Sequence, residues 1–287
     1  VRNIRGRFLR DSYSIPLFVI GSYLISWPIW FCASHFSGVF HIEILGWAAD
    51  VPRQAVVGLL GNIGPGLSAT AVVFLTEGWQ RVRQLWGGLK NWRLNPMWLI
   101  FVFLLVPALD SLALLGYWLV GGKVAGIGSP IRLLLLIVFN LPFAPLWEEI
   151  GWRGFLLPKL ESTHNGLSAS LILACIWGPW HLPIYWNSSA EYILWFLVMI
   201  IPLAVVFTWI YNRSRGSLVP VVILHVMVNT SSLYILGPTI RSHGMRPFQF
   251  VVGSIFCAAA VIVMSVGPNL CRNSLLGPTP SGDRVLG

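Results

Sequence analysis

Apolar residues fall along this chain in long, nearly unbroken blocks separated by short polar stretches. Eight blocks run over about 14–34, 55–76, 97–120, 131–157, 167–186, 192–212, 217–236 and 248–267. Most approach or exceed the roughly 18–20 residues that a helix needs to cross about 30 Å of hydrocarbon. The pattern predicts an all-α fold, a polytopic membrane helix bundle of about eight transmembrane helices. Several blocks contain Pro or Gly, as in Gly61-Asn62-Ile63-Gly64-Pro65-Gly66. Inside lipid such breaks are tolerated only where neighbouring helices or water satisfy the freed backbone groups, which favours a compact bundle over separate rods.

Composition supports the same picture. Of 287 residues, 56% are hydrophobic and 10% charged, against about 25% charged in a typical soluble domain. A surface with so little charge does not face water all round. The loops are too short for a soluble domain, and no internal repeat, low-complexity segment or linker interrupts the pattern. Residues 1–267 therefore read as a single transmembrane domain. The segment 268–287, with Pro268, Pro278 and Pro280, reads as a flexible cytoplasmic tail.

The net charge of +9 is a matter of topology. With the N-terminus inside, the cytoplasmic segments hold Arg2, Arg5, Arg7, Arg10, Arg81, Arg83, Lys90, Arg93, Arg153, Lys159, Arg213, Arg215, Arg272 and Arg284. Arg53, Lys123, Arg132, Arg241 and Arg246 fall outside. Fourteen against five is the positive-inside asymmetry, so both termini are expected in the cytoplasm of a bacterial-type plasma membrane. The scattered basic residues suit anionic lipid and, without a recognition motif, exclude nucleic acid as a partner. The first apolar run exceeds a signal-peptide h-region and reads as a retained anchor. Cys32, Cys175, Cys257 and Cys271 have no paired spacing, and no disulfide or thiolate metal site is indicated.

Candidate chemistry lies in residues that are costly in lipid. A charge at mid-membrane costs at least ~2.5–3.5 kcal/mol, and such residues are functional candidates by default. The fourth block carries Glu148-Glu149 and, four residues after Glu149, Arg153. On a helix Glu149 and Arg153 share one face and can pair, while Glu148 points about 100° away. A structural ion pair accounts for Glu149 and Arg153 but leaves Glu148 free. The fifth block places Trp177 and His181 four apart, and the seventh does the same for His225 and Asn229. Alone, each of these pairs reads as an interhelical hydrogen-bonding element. Their depths change that reading. At 1.5 Å per residue, Glu148, His181, His225 and Asn229 all lie ~12–21 Å from the cytoplasmic helix ends. One slab near the midplane is the mark of a shared polar cavity. Asp110 could line it, although a structural hydrogen bond is the plainer expectation, and Asn140 is expected to bond across helices.

Glu148-Glu149-x-x-x-Arg153, aromatic-x-x-x-His at Trp177 to His181, and His225-x-x-x-Asn229 occur in that order on successive apolar helices. The pattern resembles the CPBP family of intramembrane proteases, which includes the Rce1-like CAAX prenyl endopeptidases and bacterial ABI-type membrane proteins, over a core of about 130–240. One position departs: the second motif is usually written with Phe where this chain has Trp177. The resemblance implies an intramembrane endopeptidase that cleaves a membrane-associated, CAAX-like or other protein or peptide. In it, Glu148 and His181 would activate a water, His225 and Asn229 would hold the oxyanion, and Glu149, Arg153 and Trp177 would support them. A carboxylate shielded from water suits general-base work, and donors aimed at an oxyanion act strongly where water is scarce. No cofactor is firmly implied. Zinc, if bound, would take Glu148, His181 and His225, although no HExxH is present. Two other readings stand beside this one. The first is a non-catalytic immunity or scaffold protein of the same family. The second is an ion-coupled transporter, for which no inverted repeat is evident.

Overall fold

A computed structural model of the chain describes residues 2–33, 35, 38–44, 47–92, 94–127 and 130–272. Helix α1 (Arg2–Ala33) leads into an antiparallel hairpin, β1 (Val39–Ile44) and β2 (Trp47–Pro52). The helices α2 (Arg53–Gly61), α3 (Gly64–Glu77), α4 (Trp79–Gly87), α5 (Pro96–Leu119) and α6 (Pro130–Asn140) follow. Next come α7 (Ala144–Glu149), a π-helical turn over Ile150–Leu156, α8 (Leu157–Glu161) and α9 (Gly166–Trp180). The chain then forms α10 (Ala190–Arg213), α11 (Leu218–Ser231), a second π-helical turn over Ser232–Leu236, α12 (Gly237–His243) and α13 (Arg246–Val266). The hairpin was not expected from the block pattern, yet Phe40-His41-Ile42-Glu43-Ile44 alternates apolar and polar residues as a strand does.

Six stretches among the described residues are long and apolar enough to cross a membrane: Tyr13–Ala33, Val57–Glu77, Pro96–Leu119, Ala190–Arg213, Leu218–His243 and Arg246–Val266. They match six of the eight expected spans, and the polytopic helical bundle stands. The other two are not single crossing helices. The fourth is broken by the turn at residues 141–143 and wound as a π turn from Ile150. The fifth ends at Trp180 after 15 residues, about 22 Å of helix, less than the ~30 Å of a hydrocarbon core. It ends there because Pro179 and Pro183 flank His181 and each lacks an amide hydrogen. The chain continues as a short 3-10 turn, Leu182–Tyr185.

Large apolar side chains such as Leu24, Leu75, Leu112, Trp118, Leu194 and Met264 are exposed on the outside of the bundle. In water they would be a liability; in lipid they are the expected outer surface. The interior is held by small residues and hydrogen bonds, as bundles without a hydrophobic driving force require. Ser26 Oγ donates to the Gly61 carbonyl (2.7 Å) and Ser68 Oγ to the Phe18 carbonyl (2.9 Å), joining α1 to the second span. Tyr23 and Trp27 of α1 donate to the carbonyls of Ile176 and Trp180, at 2.6 and 3.0 Å, and so anchor the short α9.

The Gly61–Gly66 break is a place where helices pass closely. A Cβ on Gly66 would lie 2.8 Å from Trp147, and one on Gly151 would lie 2.6 Å from Pro65. Only glycine lets α3 pass so near to α7 and the π turn, and that packing seats the helical stretch that carries the acidic pair. Residues 268–272 lie against the start of α9, with Leu270 buried and the Pro268 carbonyl accepting from Leu167 N–H at 2.8 Å. The rest of the expected tail, 273–287, lies outside the described residues.

Candidate active site

Glu148 and Glu149 end α7, Arg153 lies in the π turn that follows, His181 caps α9, and His225 lies midway along α11. All five are buried: Glu149 and Arg153 at 0%, Glu148 at 2%, His225 at 3% and His181 at 8% exposure. Burying five such groups is tolerable only if each is paired or hydrogen-bonded.

Glu149 Oε1 accepts from Arg153 Nη1 at 2.9 Å and from His225 Nδ1 at 2.6 Å. The expected brace between Glu149 and Arg153 is therefore present, and it extends to α11 through His225. Arg153 also lies between two aromatic faces, its guanidinium carbon 4.3 Å from the Trp177 ring centre and 4.2 Å from that of Phe207. Its Nε and Nη2 have no hydrogen-bond partner, so the ring faces are what they meet.

Glu148 turns the other way, as the helical geometry predicts. Its Oε2 accepts a hydrogen bond from Trp177 Nε1 at 3.1 Å and lies 3.9 Å from both His181 Nε2 and His225 Nε2. The two 3.9 Å separations are too long for direct hydrogen bonds and suit a shared water. Trp177, expected to support the site, is thus in direct contact with the carboxylate.

Both imidazoles are oriented by what holds Nδ1. At the end of α9 the His181 N–H turns to the Gly178 carbonyl at 3.1 Å, and the ring Nδ1 bonds to the Trp177 carbonyl at 2.8 Å. A carbonyl can only accept, so Nδ1 carries the hydrogen, and in the neutral ring Nε2 presents a lone pair towards Glu148. His225 is held likewise, with Nδ1–H donated to Glu149. For His225 to donate to an oxyanion as well, its Nε2 must also carry hydrogen; the ring is then an imidazolium with Glu149 as its counter-charge.

Asn229, expected beside these groups, donates from Nδ2 to Asn140 Oδ1 at 3.2 Å. This is the bond across helices anticipated for Asn140, and it ties α11 to α6 one helical turn from His225. Asp110 accepts from Ser231 Oγ at 2.7 Å, the structural bond expected of it, outside the Glu148 cluster. Phe207 went unnoticed in the sequence because it is one apolar residue in the apolar run of α10; only its contacts with Arg153 and His225 mark it.

The set Glu148, His181 and His225 does not fit a zinc ion as it stands. Tetrahedral zinc with ligands near 2.0–2.1 Å places donor atoms about 3.3 Å apart, and the two edges here are each 3.9 Å. Among the described residues no group of three His, Cys, Asp or Glu side chains has a metal-holding arrangement.

Comparison with known proteins agrees with the motifs. Residues 130–231 match the model of the family described as "Type II CAAX prenyl endopeptidase Rce1-like", a range that contains every residue of the cluster. The chain is also 24% identical over 275 residues to CAAX prenyl protease 2 of Methanococcus maripaludis, an alignment covering 88% of this chain and 94% of that protein. Ordered motifs, a matched core and a relative aligned over most of its length make this chain an integral membrane peptide hydrolase similar to the Rce1-like CAAX proteases.

Proposed function

We propose that the chain cleaves a peptide bond near the membrane-anchored end of a protein or peptide, using Glu148 as general base. One observation carries the reading: Glu148 Oε2 is 3.9 Å from the Nε2 atoms of two imidazoles whose Nδ1 atoms are already engaged. A water in that space donates one hydrogen to Glu148 and the other to His181, leaving its lone pair for a carbonyl carbon. As the tetrahedral intermediate forms, Asn229 and the imidazolium form of His225 hold the oxyanion, and Glu149 with Arg153 keeps His225 in register. Glu148 then passes its proton to the leaving amine. Burial of the cluster keeps bulk water from competing. The names carried by the family and by the archaeal relative make a prenylated C-terminal CAAX segment the first substrate class to try.

The test is a comparison of membrane proteomes from cells carrying wild type or Glu148→Gln, together with cleavage of a prenylated CAAX peptide by the purified protein. New C-termini found only with wild type support the reading. Identical peptide patterns, with the prenylated peptide intact in both, would sink it.

A further inference from the structure

Trp177 touches four of the five buried groups, Glu148, Arg153, His181 and His225. Its ring face lies against Arg153, its ring packs edge-on to His181, His225 and Phe207, its carbonyl accepts from His181 Nδ1, and its indole N–H donates to Glu148. These contacts separate by chemistry. Any aromatic ring would serve the stacking, and any residue would supply the carbonyl. Only the N–H to Glu148 requires tryptophan.

That hydrogen bond has no substitute within the cluster. His181 and His225 have their Nδ1 atoms engaged elsewhere, and each Nε2, with or without a hydrogen, lies 3.9 Å from Glu148 Oε2, beyond a direct hydrogen bond. Arg153 directs its hydrogen bond to Glu149. The Trp177 N–H is therefore what fixes the rotation of the Glu148 carboxylate, with Oε2 equidistant from the two Nε2 atoms. Without it the carboxylate turns about its last side-chain torsion, a broad and soft one, and the water loses its alignment.

We propose that Trp177 is a positioning residue whose indole N–H aims Glu148 at the space between the two imidazoles. The proposal rests on the reading of Glu148 as base. Its test is Trp177→Phe, which keeps a ring against Arg153 and the carbonyl for His181 while removing the donor. A second variant replaces Trp177 with β-(3-benzothienyl)alanine, which keeps both rings and exchanges only N–H for sulfur. With a prenylated CAAX peptide in detergent, kcat should fall roughly tenfold or more in both variants, the effect of one hydrogen bond to a charged group. KM should stay within about twofold, and the benzothienyl variant should melt as wild type does. A residue that only packs would instead shift the melting temperature and spare kcat in the benzothienyl variant; that outcome overturns the proposal. Glu148→Gln run alongside separates the two levels. If it cleaves like wild type, the base assignment falls and the role of Trp177 with it. If it is dead while both Trp177 variants turn over normally, only the role of Trp177 falls.

Discussion

His225 Nδ1 and Glu149 Oε1 lie 2.6 Å apart, a bond that joins the middle of α11 to the end of α7. The same oxygen takes Arg153 Nη1 at 2.9 Å. Adjacent carboxylates thus divide the work: Glu149 takes two donors on Oε1 and holds two elements together, whereas Glu148 faces the imidazoles.

This division predicts opposite mutant behaviour. Glu149→Gln and Arg153→Ala each leave one member of a buried ion pair alone, which costs ~3–5 kcal/mol, and both should melt well below wild type in detergent. Glu148→Gln should melt close to wild type and lose peptide cleavage. Should Glu148→Gln unfold while Glu149→Gln stays folded and inactive, the two roles are reversed.

The donor spacing at Glu148, His181 and His225 predicts that a zinc chelator leaves turnover unchanged, since two donor edges exceed that of tetrahedral zinc. Purified protein assayed before and after 1,10-phenanthroline provides the check. A loss reversed by added zinc would mean that the three side chains close on a metal during catalysis.

A pH effect on stability is expected at Glu161, on the α8 side of the bundle. Burial raises its carboxyl above the usual range, with the Asn212 hydrogen bond and the Arg272 charge only opposing in part. At low pH the folded and unfolded chains both hold the proton, and the site contributes nothing. As pH rises past the ordinary carboxylate range the unfolded chain ionises first, so stability declines until the folded carboxyl ionises too. Glu161→Gln, which can still accept from Asn212, should therefore melt above wild type at pH 7–8, and the difference should vanish towards pH 4. Equal melting temperatures across the range would contradict this.

Both termini are predicted to be cytoplasmic from the fourteen-to-five Lys and Arg asymmetry. Reporter fusions at the N-terminus and after Gly287 measure it directly. A signal from the far side of the membrane at either end would overturn the assigned orientation.

The apolar blocks alone determined that this is a helical membrane bundle, because hydrocarbon permits little other than helix for runs of that length. The Gly61–Gly66 break and the pairing of Glu149 with Arg153 were equally legible, the first from glycine and proline chemistry and the second from helical spacing. The cost of charge in lipid singled out Glu148, His181 and His225, since such residues are kept there for a reason. Four-residue spacing, however, says only which side chains share a face, not what that face meets. The tertiary structure alone decided that His225 bonds Glu149, that Asn229 bonds Asn140, and that the Trp177 indole reaches Glu148. It also decided that Phe207 closes over Arg153, since a phenylalanine in an apolar helix has no signature until a cation is laid against it. The hydrogens on the two imidazoles follow from the same source: which nitrogen donates depends on the acceptor beside it, and the fold supplies that acceptor.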